Sequence, residues 1–185
     1  MKIARRAVLR QADMNGDGWR RTRASPESSQ RCASYNPDLS TFMITGKARS
    51  AFHAGDSYIE SRAALFRNAI EAQRFFEARF DPRALACIRY AIKRALAEAG
   101  LRPRVRSADY NPAPNVGEQT MVYVIEYVVT FRRERYLYPV EVIAFRRERS
   151  VASVWFAMIP SDEGSRPCEC EFYEARTVEA RLQGS

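Results

Sequence analysis

Long apolar runs are scarce in this 185-residue chain. No stretch approaches the roughly 20 apolar residues that a membrane-spanning helix needs, which excludes such a helix. Near the start, Arg5 and Arg6 are followed by only Ala7, Val8 and Leu9 before Arg10, too short an apolar run for a secretory leader. The expected alternatives are a cytoplasmic chain, or an exported one whose leader lies outside it. Catalytic signatures are missing as well: there is no G-x-S-x-G elbow, no H-E-x-x-H and no phosphate-cradling glycine loop. The single histidine, His53, has no oriented partner in the sequence that would make it a general base, so a surface role is its default. These absences favour binding over catalysis and call for no cofactor.

Lysine is nearly absent. Lys2, Lys47 and Lys93 are the only ones, so arginine carries almost all of a formal net charge of +8. Such a field could attract nucleic acid, anionic lipid or acidic ligands, but net charge speaks to association and not to fold. The pentapeptide Phe-Arg-Arg-Glu-Arg occurs at Phe131–Arg135 and again at Phe145–Arg149. In a meander, successive turns fall at opposite ends of a sheet, about 30 Å apart for a nine-residue strand. The repeats therefore read as solvated turns, and nucleic acid is a disfavoured partner.

Asp13, Asn15, Asp17 and Gly18 match the opening of a calcium loop, yet the twelfth position, where a bidentate carboxylate belongs, is Ala24, and Arg20, Arg21 and Arg23 crowd it with cations. An Asn-Gly turn is the better reading. Of the four cysteines, Cys32 and Cys87 stand far apart, whereas Cys168 and Cys170 flank Glu169. Disulfides and buried free thiols both remain open on this count. Zinc is disfavoured, because the paired short spacing of structural sites is lacking. No metal site is expected.

Periodicity supplies the architecture. A short helix is expected to begin Ala4–Met14, with irregular chain over Arg20–Leu39, and strands over Thr41–Phe52 (interrupted at Gly46) and Ser57–Phe66. Asn68 with Glu71 resembles a helix cap, and Ala69, Ala72, Phe76 and Phe80 recur at helical spacing. Asp81 and Pro82 can open a second helix whose stripe is Leu85, Ile88, Ile92 and Leu96, with Gly100 to end it. Leu101–Gln119 reads as a long loop. Three strands follow at about Thr120–Arg132, Tyr138–Arg146 and Val151–Ile159, and their short connections imply an antiparallel meander.

Both faces of these strands are apolar. Tyr123, Ile125, Tyr127, Val129 and Phe131 oppose Val122, Val124, Glu126, Val128 and Thr130. A sheet of this kind wants cover on both sides. The expected fold is α+β, an antiparallel sheet with helices on both faces, in one domain over 1–185 with a core of about 7–160 and a C-terminal extension over 161–185. Glu126, alone among valines, must meet water, a cation or a ligand. It and Trp155 are the ligand-binding candidates, with an arginine partner as the alternative for Glu126.

Asp13–Trp19, Cys32, Thr45–Phe52, the strand and helix over Ser61–Phe80, and Cys87 inside the next helix together resemble the extracytoplasmic sensor domains of mycobacterial receptor-type Ser/Thr kinases and related actinobacterial lipoproteins. The resemblance covers roughly Ala7–Ile159. It implies an α/β/α sandwich of the Mog1/PsbP type, export, a disulfide joining Cys32 to Cys87 across about 55 residues, and a ligand cleft beside the sheet. The visible leader is missing, and the tail pair Cys168 and Cys170 is unusual for the group. The implied function is a non-enzymatic extracytoplasmic sensor that takes an unknown small molecule or cell-envelope ligand. Two other classes compete. One is a nuclear-transport-factor-like pocket domain with isomerase or hydrolase activity, using Glu126 or Asp109 as base. The other is a basic nucleic-acid-binding module.

Overall fold

Strands with two apolar faces need a helical layer on each side, and the computed structural model has that arrangement. It describes residues 2–14, 17–24, 32–111, 116–131, 133–157 and 170–183. Seven strands form one antiparallel sheet: β1 (Arg20–Thr22), β2 (Ile44–Ala54), β3 (Ser57–Phe66), β4 (Arg104–Asn111), β5 (Gln119–Phe131), β6 (Glu134–Arg147) and β7 (Ser150–Ala157). Their order is β1-β2-β3-β7-β6-β5-β4. The helices are α1 (Lys2–Arg6), α2 (Ala69–Arg79), α3 (Ala84–Glu98) and α4 (Cys170–Gln183). The fold is thus an α+β sandwich.

Each face has its own core. On one, α2 and α3 bury Phe75, Phe76, Phe80 and Ile88 against Tyr123, Ile125, Tyr127, Val129, Val140 and Val142. On the other, Ala7, Val8 and Leu9 after α1 and Ala175, Val178 and Leu182 of α4 meet Ile59, Ala63, Ile143, Phe145, Ala152 and Val154. The two layers are offset. α3 lies over β4, and two tyrosines of β5 pin the helical pair: the Tyr123 hydroxyl donates to the Asp81 carbonyl (3.0 Å) and the Tyr127 hydroxyl to the Arg89 carbonyl (2.7 Å). α4 and α1 instead sit over β7, β6, β2 and β3 of the reverse face. The cover provided by α3 therefore leans towards one edge of the sheet and that of α1 towards the other.

Local signals account for the helix ends. The Asn68 side chain accepts from the Glu71 backbone amide at 2.9 Å and starts α2. Asp81 accepts from the Arg83 amide at 2.7 Å ahead of α3, and Gly100, with φ +81°, closes it. The disulfide implied by the sensor resemblance is formed: Cys32 and Cys87 are bonded, which ties the chain before β2 to α3.

Three expectations need correction. The loop expected over Leu101–Gln119 contains β4, the edge strand beside β5. The irregular stretch after Arg20 contains β1, paired to β2, and a bridge between Cys32 and Tyr35. The short helix expected to begin Ala4–Met14 is α1, which ends at Arg6; beyond it the Leu9 amide donates to Ser61 Oγ at 2.8 Å, and a 3-10 turn follows over Gln11–Asp13. The strand expected from Tyr138 begins at Glu134, since β5 and β6 pair as far as Phe131 and Glu134. Cys168, Asn15 and Gly16, and the strand end expected at Met158 and Ile159, lie outside the described residues.

Candidate ligand cleft

Alternation along β3 sends Tyr58, Glu60, Arg62 and Ala64 to the α2/α3 face, and Ile59, Ser61 and Ala63 to the other. Across the ladder, Glu60 pairs with Trp155 of β7 and Trp155 with Val142 of β6, so these side chains share a face. Two adjoining cavities open along this line. One, of about 440 Å³, lies between the Ile88–Leu96 stretch of α3 and Tyr58, Glu60, Tyr138, Val140 and Trp155 of the sheet. The other, of about 350 Å³, lies between α2 and β2, β3 and β7, where Lys47, Arg49 and Arg79 join Phe75 and Phe80. Arg62 lines both. Each volume is in the range of roughly 300–1,000 Å³ usual for small-molecule sites.

The junction is held by a polar network. Glu60 is 2 % exposed and accepts from the Tyr58 hydroxyl at 2.6 Å and from Arg62 Nε at 2.5 Å. Arg62 in turn stands over the Trp155 ring, 5.8 Å from its centroid, and the Trp155 indole donates to Ser153 Oγ at 3.3 Å. The carboxylate fixes the guanidinium, and the guanidinium and the sheet fix the indole, so the wall between the cavities is preorganised. Arg79 is placed similarly, 5.9 Å from the rings of both Phe75 and Phe80. Burial, with Asp56 adding to it, raises the Tyr138 phenol above its ordinary value.

The sequence candidates separate. Trp155 lines the cleft, whereas Glu126 points to the reverse face, beside Ser107, its pairing partner on β4. There it accepts from Ser107 Oγ at 3.0 Å, with Arg106 Nε 3.8 Å away. Tyr123 and Tyr127, on the face opposite Glu126, are buried on the α2/α3 side, where burial raises both phenols. Asp109 is exposed on the same edge strand as Ser107. Glu60, which sequence reasoning missed, is the carboxylate in the cleft. Its signal was Tyr-x-Glu-x-Arg at period 2, which places all three side chains on one strand face.

Other motifs serve the fold. Asp13, first in the calcium-like stretch, accepts from the Arg10 amide and is gripped by both terminal nitrogens of Arg181 on α4. No cluster of potential metal ligands occurs among the described residues. The two Phe-Arg-Arg-Glu-Arg repeats fall at opposite ends of β6. In the second, Arg146 pairs with Glu118 and Gln119, and Arg147 with Glu179. His53 is exposed on β2.

Geometry alone defines a sheet-and-helix sandwich with an open cleft on one face. No protein-family profile matches this chain, and no curated protein sequence matches it. Among solved structures, the chain is similar to the crystal structure of the extracellular domain of PknH from Mycobacterium tuberculosis, with a TM-score of 0.56 and 11 % identity. The match covers 97 % of this chain and 94 % of that one. At that identity the likeness concerns the fold alone. No helix among the described residues is long and apolar enough to cross a membrane.

Proposed function

We propose that this chain is a ligand-binding domain of the extracytoplasmic sensor kind, which works by reversible occupancy of the α2/α3 cleft and not by catalysis. The observation that carries the reading is the cleft itself: two adjoining cavities, walled by Trp155, Tyr138 and α3, whose junction is held by the Glu60–Arg62 pair. Trp155 and Arg62 are the binding residues in this reading; Glu126 is left to a surface role. Location outside the cytoplasm is supported by the Cys32–Cys87 disulfide, a bond that persists in oxidising compartments, and by a fold shared with an extracellular domain.

The test uses N-phenyl-1-naphthylamine, a neutral probe whose emission rises in apolar surroundings. Titration should give a saturable, one-to-one signal that quenches Trp155 in a Trp19→Phe background, since Trp19 packs against the reverse-face core. A signal that does not saturate, or that survives Trp155→Ala unchanged, would remove the cleft as the binding site. Thiol titration of the denatured, unreduced protein addresses location, and four reactive thiols would count against export.

A further inference from the structure

The larger cavity, of about 440 Å³, takes most of its wall from hydrocarbon: Ile88, Ala91, Ile92 and Ala95 of α3 on one side, Val140 and Ala157 of the sheet on the other. Two of its lining residues are ionised, Glu60 and Arg62, and they are bonded to each other, so the lining carries no net charge. Its remaining polar side chains can be followed one by one. The Tyr58 hydroxyl donates to Glu60, and the Trp155 indole donates to Ser153 Oγ. Tyr138, half-buried, is the one polar side chain of this lining that makes no hydrogen bond to a described residue.

Resting on the ligand-binding reading above, we propose that the larger cavity takes an uncharged, largely apolar molecule with one hydroxyl or carbonyl group, its hydrocarbon between α3 and Val140 and its polar atom at the Tyr138 hydroxyl. An anionic head would have to share Arg62 with Glu60, which is 2 % exposed and would then face a second buried negative charge. A cationic head would compete with Arg62 for Glu60 in the same way. A sugar-like ligand would bury its hydroxyls against Ile88, Ala91 and Ile92, which offer them no partner. A pure hydrocarbon would fill the space and leave the Tyr138 hydroxyl unsatisfied beneath it. One polar atom on an apolar body meets the whole lining.

Calorimetric titration at pH 7.5 with single-chain probes of matched length, all below their micellar concentrations, tests this: decan-1-ol, decanoate and decyltrimethylammonium. Decan-1-ol should bind tighter than either ion by roughly tenfold or more. Shortening the alcohol should cost about fourfold per methylene. Tyr138→Phe keeps the ring and removes the hydroxyl. It should weaken decan-1-ol by about fivefold and leave naphthalene, which has no hydrogen-bonding group, unchanged. Ala95→Phe, which fills the cavity from α3, should weaken the alcohol and naphthalene together.

Either ion binding as tightly as the alcohol would overturn the uncharged occupant while leaving the cleft a ligand site. An alcohol affinity indifferent to chain length, or to Tyr138→Phe, would overturn the placement of the chain or of its polar atom. If N-phenyl-1-naphthylamine binds and decan-1-ol does not, this ligand class fails alone; if none of the probes binds, the ligand-binding reading fails with it.

Discussion

Removing the Cys32–Cys87 bridge with a Cys32→Ser/Cys87→Ala double variant acts on a cross-link between residues 55 apart. The closed segment contains β2, β3 and α2, which supply much of the smaller cavity. In the chain-entropy account, closing a loop of that length disfavours the unfolded chain by about 4 kcal/mol at 25 °C. Packing losses are smaller, because Cys32 is only half-buried and Cys87→Ala deletes a single buried sulfur. An unfolding entropy of roughly 2.1 cal/mol/K per residue converts the 4 kcal/mol into a fall in Tm of about 10 °C. Urea unfolding followed by far-UV circular dichroism is the assay. The midpoint should drop and the m-value should rise, since a chain without the cross-link exposes more surface when unfolded. A loss under about 1 kcal/mol with an unchanged m-value would refute the reasoning, because the bridge would then not be constraining the unfolded state.

Two further outcomes are expected. Arg62→Met should destabilise by about 3 kcal/mol, because Glu60 would keep a buried charge without its guanidinium, while Glu60→Gln/Arg62→Met should recover most of that in thermal unfolding. Glu174 on α4 is buried, one of its oxygens has no hydrogen-bond partner, and burial raises its carboxyl above the ordinary value. A raised folded-state value means that the penalty is absent at acid pH and grows as pH rises through that value. Glu174→Gln should therefore be more stable than the parent by on the order of 1 kcal/mol at pH 7, and the two denaturation midpoints should converge below about pH 4.

How much of this was legible in the sequence depended on whether periodicity survived. β5 and β7 were readable because their alternation runs unbroken over long, two-faced apolar segments. β4 was not: a bulge between Val105 and Ser107 puts Val105 opposite Tyr127 and Ala108 opposite Ile125, so two residues of one face stand three apart and the period of 2 is lost. α4 left a trace in Ala175, Val178 and Leu182, spaced 3 and 4 apart among charged residues. The cleft was harder to see. Glu126 stood out because its neighbours are valines, whereas Glu60 was disguised by Tyr58 and Arg62, the groups that hold it. Sequence anomaly points to a lone charge, and a charge already provided with partners looks ordinary.

The alternation along β3 also bears on how the lining of the cleft could change. From Tyr58 to Ala64, even-numbered residues face the cleft and odd-numbered ones face the α1/α4 core; on β7 it is odd-numbered Ser153 and Trp155 that face the cleft. The cleft lining and the reverse-face core are thus written on the same strands in separate, interleaved positions. A lineage can replace the residues of one set while the other keeps the reverse-face core intact. Such an arrangement lets chains with little sequence in common retain one scaffold, each with its own chemistry in the cleft.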